Sequence, residues 1–150
     1  MEKSNSYVYF ALKGNDFDPN EITKRIGIIP TDSWRKGDKG KYNLNIQFAC
    51  WQLSTEKGKE PLLIDTLVDE IVNKLYDSID IISELKTELH LESVLEIVMY
   101  IDTNPETSTP ALGHDLKTIE FLYRTKTTTD VDIYTYNSET LDTKEQQQIT

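Results

Sequence analysis

Asp16, Asp18 and Asn20 alternate in the stretch NDFDPNE, the spacing with which a calcium loop sets out its first oxygen ligands. Such a loop needs glycine at its sixth position and a bidentate glutamate at its twelfth. This sequence has Glu21 and Gly27 there, so the EF-hand reading fails. The same residues fit the start of a helix. Asp18 suits the N-cap and Pro19 the first helical position, while Glu21 stands where a capping-box carboxylate belongs. Ile22 and Ile26 follow at helical spacing, and Gly27 is a stop signal.

The remaining chemistry-bearing residues assemble into no catalytic set. His90 falls at a helix end and His114 just before Asp115 at a helix start, and neither has zinc-ligand spacing to Cys50. Cys50 lies between Ala49 and Trp51 in a strand-like run, the setting of an inert buried thiol. KGDKGK has glycines but matches no nucleotide-binding fingerprint. Asp130 and Asp132 flank Val131 on one side of a strand; acid–base work by such a pair requires environments that drive their pKa values apart. No catalytic residue, metal or cofactor is therefore expected. The loop TDSWRKGDKGKY is the most suggestive stretch. Trp34, Arg35, Lys36, Asp38 and Tyr42, with Lys39 and Lys41 close by, combine stacking surface with cations. That mixture suits an anionic or aromatic ligand or a partner hot spot; alternatively, Trp34 folds over the core edge and the cations face water.

Charge divides the chain. The net charge is −10 over 150 residues, yet residues 22–59 carry +5 and residues 60–100 carry −8. An acidic chain is a poor match for nucleic acid, whose affinity comes from Lys and Arg. One cysteine permits no internal disulfide. No apolar run reaches the roughly 20 residues of a membrane span, and the N-terminus lacks a signal-peptide core, so the expected location is the cytoplasm.

The elements that would position these residues read in order. YVYFAL (7–12) is a strand, DPNEITKRIG a short helix, and a long loop leads to a second strand at about 46–53. Ile64, Leu67, Val68, Ile71, Leu75, Ile79, Ile82, Leu85 and Leu89 recur every three or four residues, the pattern of a long amphipathic helix that Asp77–Asp80 could split. Its outer face would carry Asp69, Glu70, Asp77, Asp80 and Glu84. Ser93–Asp102 is nearly continuous in apolar character, as suits a strand buried on both faces. A third helix carries Leu116, Ile119, Phe121, Leu122 and Tyr123, and DVDIYTY is a closing strand. The predicted fold is α+β in the order β-α-β, long helix, β-α-β. Its sheet is mainly antiparallel with helices on one face, ferredoxin-like by analogy. One domain is expected over residues 1–136, with a polar tail over 137–150.

The string DPNEITKRIGIIPTDSWRKGD, followed by CWQLST and later DVDIY, resembles the bacterial family catalogued as domain of unknown function 4279. The matching positions are Asp18, Pro19, Glu21, Ile22, Gly27, Ile28, Pro30, Thr31, Gly37, Asp38, Trp51, Leu53, Asp132 and Tyr134. The resemblance spans about residues 6–136. It implies the fold and supplies no catalytic residue.

Function is therefore expected to be binding. The favoured expectation is a non-catalytic protein-interaction module docking a basic partner on the acidic helix; a toxin-neutralising immunity protein is one concrete form, since opposite charge speeds encounter and rejects wrong partners. The competing expectation is a small-molecule or anion-binding domain built on the Trp34 loop. A hydrolase using Asp16, Asp38 or Asp132 is the weakest.

Overall fold

A computed structural model of the chain describes residues 6–57 and 63–139. Strand β1 (Tyr7–Gly14) leads into helix α1 (Pro19–Ile26) and the short strand β2 (Asp32–Trp34). Strand β3 (Ala49–Ser54) follows, then helices α2 (Ile64–Leu75) and α3 (Ile79–Leu89). Strand β4 (Glu92–Asp102), helix α4 (Leu116–Thr125) and strand β5 (Thr128–Tyr136) complete the order. The strands form one sheet in the order β2-β3-β1-β4-β5. Every neighbouring pair is antiparallel except β4–β5, which is parallel; α4 supplies the crossover that a parallel pair requires. The fold is thus α+β, with a mostly antiparallel sheet.

The strand alternation sends Val8, Phe10 and Leu12 of β1, Trp51 and Leu53 of β3, and Leu95, Ile97 and Met99 of β4 to one face. There they pack with Ile22, Leu67, Ile71, Leu75, Ile82, Leu85 and Phe121 from the helices. Among the described residues no helix packs on the opposite face. Asp18 caps α1 as its sequence predicts: its carboxylate accepts the Asn20 N–H at 3.0 Å, and Pro19 occupies the first turn. Glu21 returns to Asp18 through its backbone N–H, 3.1 Å from the Asp18 carbonyl, and its carboxylate adds negative charge at the positive end of the helix. Gly27 terminates α1 with φ of 80° and an N–H bond to Thr23, a left-handed conformation that favours glycine. Gly14 ends β1 where a Cβ would stand 2.9 Å from Leu91 Cδ2.

The long helix splits about where Asp77–Asp80 could split it, and other boundaries differ from the sequence expectation. The long apolar stripe is broken by a 3-10 turn at Tyr76–Ser78, where Asp77 and Ser78 favour turn geometry over helix interior; the stripe stays buried on both sides of the break. The second strand begins at Ala49 rather than near Ile46, because the Ile46 N–H and C=O bond Asp38 and Gly37 and close the preceding loop on itself. Within that loop, Asp32–Trp34 pairs with Gln52–Cys50 as an edge strand. On α4 the inward residues are Thr118, Phe121 and Thr125, while Leu116, Ile119 and Tyr123 are exposed. Strand β5 ends at Tyr136; of the tail expected over residues 137–150, residues 140–150 lie outside the described residues. Among the described residues no helix is long and apolar enough to cross a membrane.

Candidate functional site

The helix-free face of the sheet is paved by the alternate residues of each strand. Register places Tyr9 of β1 beside Glu96 of β4, and Glu96 beside Asp130 of β5. One step along the strands, Tyr7, Val98 and Asp132 form the next row, and Tyr100 with Tyr134 the one after. Tyr7 and Tyr9 stack with ring centroids 6.2 Å apart; Tyr100 and Tyr134 stack at 5.1 Å. Lys57 sets its ammonium over the Tyr7 ring, 4.3 Å from the centroid. Two tyrosine pairs thus stand around three carboxylates.

One oxygen from each of Glu96, Asp130 and Asp132 lies within 4.8 Å of the others. The environments of the three differ. Asp130 and Asp132 are exposed on the edge strand, whereas Glu96, on an inner strand, is only 4% exposed. Its Oε1 is buried and has no hydrogen-bond donor. Burial pushes the Glu96 carboxyl up to about 8, and its hydrogen-bonding contact with Asp132 and then Asp130 pushes in the same direction. A carboxyl raised in this way favours its protonated form at neutral pH. Among the described residues no ion pair joins a lysine or arginine to any of the three. The tyrosines feel the same field: burial and then Glu96 push Tyr9 up to about 12, and burial followed by Tyr100 and Glu96 raises Tyr7.

The sequence singled out Asp130 and Asp132, and the structure brings both to this face. It did not single out Glu96, which completes the group. An acid in the middle of the apolar run VLEIVMYI was the available signal.

The Trp34 loop is arranged differently. The Trp34 ring meets Phe48 edge-on at 5.8 Å, and its indole Nε1 is buried without a partner. Arg35 is bound by Asp16 (Nη2 to Oδ2, 3.2 Å), and that contact holds the Asp16 carboxyl below its usual range. The Asp38 carboxylate accepts the Arg35 backbone N–H at 2.8 Å, and Lys36 reaches the Asn15 side chain. Tyr42 stands apart, 90% exposed with φ of 62°. Asp16, first considered as a metal ligand, is therefore a clasp between two loops.

On α2 and α3 the acids are partly matched within the chain. Glu84 and Glu88 pair with Arg25 at 3.4 and 2.6 Å, Asp80 with Arg124 at 3.3 Å, and Glu70 with Lys74 at 4.0 Å; Asp69 is half-buried and Asp77 exposed. His90 closes α3 in a left-handed conformation. His114 bonds the Thr129 hydroxyl at 2.9 Å beside Asp115, which caps α4 through the Thr118 N–H at 2.8 Å. Cys50 is buried, and burial pushes its thiol up to about 12, which removes it as a nucleophile at neutral pH.

The family described as Domain of unknown function (DUF4279) matches residues 4–136, nearly the whole chain, and the chain belongs to it. No curated protein and no solved structure matches.

Proposed function

We propose that this member of the DUF4279 family is a non-catalytic protein-interaction module that receives a basic segment of a partner on the helix-free face of its sheet. The observation that carries the reading is Glu96: a buried carboxyl without a donor, set between two further carboxylates and ringed by tyrosines, residues enriched at interaction hot spots. The acidic helix face is the weaker docking candidate, because Arg25, Arg124 and Lys74 already match several of its acids. Neutralisation of a basic toxin is a narrower form of the same reading, and the overall charge of −10 suits it through steering.

Titration of 15N-labelled protein with a lysine- and arginine-rich nonapeptide, and with an acidic peptide of equal length, tests the docking face. The basic peptide is expected to shift amides of β1, β4 and β5, with affinity falling as salt rises, and the acidic one to shift none of them. Shifts confined to α2 and α3 would move docking to the helix face, and the absence of any shift would remove the reading. The alternative, an anion or small aromatic ligand at the Trp34 loop, draws support from the unpartnered indole N–H. It predicts shifts at Trp34 and Phe48 on titration with phenyl phosphate.

A further inference from the structure

The docking face described above contains a feature more specific than general acidity. We propose that Glu96, Asp130 and Asp132 form a subsite for a single basic side-chain head group of the partner, a lysine ammonium or arginine guanidinium, gripped by the three carboxyl groups. The inference rests on the proposed docking face and names what that face grips.

The geometry has room for such a head group. Charge-assisted N–H···O bonds run about 2.7–2.9 Å, so oxygens surrounding one nitrogen stand up to about twice that apart. The three carboxylate oxygens lie within 4.8 Å of one another, inside that limit. Glu96 Oε1 is the second, independent sign. It is buried and faces no donor, and a buried acceptor left in that condition is costly.

The surroundings select the kind of cation. Among the described residues, the titratable or charged groups around Glu96 are Tyr9 and Tyr7 from β1, Asp130 and Asp132 from β5, Tyr100 on β4 itself, and Lys57, which rests over Tyr7. Tyrosine rings attract organic cations through their faces, and Lys57 shows that this face holds one. A divalent metal wants about six or more oxygen ligands. At these three carboxyl groups a divalent ion would draw its remaining oxygens from water, whereas an organic cation also gains the tyrosine ring faces.

The proton balance is explicit. In the free protein the Glu96 carboxyl carries the proton, consistent with a value of about 8. On binding, that proton passes to the buffer, and the carboxylate left behind accepts hydrogen bonds from the incoming ammonium or guanidinium. Affinity should then rise up to about tenfold for each pH unit between 6 and 8, because one proton competes with the ligand, and level off above 8.

Calorimetry with the lysine- and arginine-rich nonapeptide, run in phosphate and in Tris, reads both effects in the full chain. Wild type is expected to release up to one proton per peptide bound at pH 7, seen as a difference in apparent enthalpy between the buffers. Glu96→Gln should bind with no proton release and no pH dependence between 6 and 8, and at pH 8.5 at least fivefold more weakly than wild type. Asp132→Asn, at an exposed edge position, is the second variant should Glu96→Gln fail to fold; it should lose a similar factor. If the peptide binds the sheet face equally well in wild type and both variants with no proton release, the subsite is wrong while the docking face stands. If the peptide does not bind wild type at all, both fall. Magnesium or calcium chloride alone shifting the amides of residues 96, 130 and 132 at micromolar concentration would assign the cluster to a metal and overturn the proposal.

Discussion

Replacing Glu96 by glutamine should make the protein more stable at alkaline pH, and the size of the gain follows from the geometry. The Glu96 carboxyl is raised from 4.5 in the unfolded chain to about 8 in the fold, mainly by burial and then by its contacts with Asp132 and Asp130. A folded-state pKa above the unfolded value means that the native state binds more protons through that interval. Stability is therefore full below about pH 4.5 and is lost as pH rises toward 8. Each unit of difference corresponds to about 1.4 kcal/mol, but Asp130 and Asp132 are exposed and water screens their repulsion. A loss of about 1–3 kcal/mol between pH 5 and 9 is the realistic size. Glutamine keeps the shape and can donate to Asp130 or Asp132. Urea unfolding monitored by Trp fluorescence at pH 5, 7 and 9 should show wild type and Glu96→Gln close together at pH 5 and separated by about that amount at pH 9, with the variant the more stable. Parallel curves across the whole range would show that Glu96 ionises freely, and would remove the physical basis of the cluster.

Four further outcomes test the rest of the structure. Leu75→Ala, fully buried between α2 and the sheet, should cost about 2–5 kcal/mol in urea unfolding, whereas Glu84→Ala, one exposed partner of Arg25, should cost about 0–1 kcal/mol. Asp18→Ala removes the cap on the Asn20 N–H and should cost about 0.5–2 kcal/mol, read by thermal melting. Cys50, with its thiol buried and its pKa pushed up to about 12, should stay unreactive to Ellman's reagent at pH 8 until urea unfolds the protein. Lys86→Met should cost about 1–3 kcal/mol, because Lys86 Nζ binds the Thr125 and Lys126 carbonyls at 2.8 and 2.7 Å and these lose a charged donor.

Local patterns in the chain carried most of the fold. The Asp18–Pro19 cap and the Gly27 stop are interactions of neighbours in sequence, so α1 is legible residue by residue. The stripe from Ile64 to Leu89 survives its 3-10 interruption because burial depends on which face each residue takes, and the break at Tyr76–Ser78 keeps that face inward. What the sequence does not spell out is strand neighbourhood. Asp130 and Asp132 could be paired by alternation alone, but their third member sits on another strand. It reaches them only because α4 returns the chain parallel to β4 with Glu96 opposite Asp130. For the same reason the Arg25–Glu84 and Arg25–Glu88 pairs, separated by 59 and 63 residues, were invisible beneath an apparently unmatched acidic helix face. Trp34 posed a subtler problem: its neighbours in sequence are cations, while its neighbour in space is Phe48.

The protein treats two buried ionisable groups in opposite ways, and the contrast bears on function. Lys86 enters a partly buried position and finds three acceptors, the Ser93 hydroxyl at 2.7 Å and the carbonyls of Thr125 and Lys126. It ties the end of α3 to the end of α4, and every donor of its ammonium has a use. Glu96 enters a more deeply buried position and finds two further carboxylates. A leucine or valine there would suit an inner strand better on stability alone, as Val94 and Val98 on either side of it illustrate. Folding requirements therefore account for Lys86 and leave Glu96 unexplained. Residues that break the local rules of a fold without compensation inside it are concentrated where a protein meets something else. On the docking reading proposed above, a cation brought by a partner would give Glu96 what Lys86 already has.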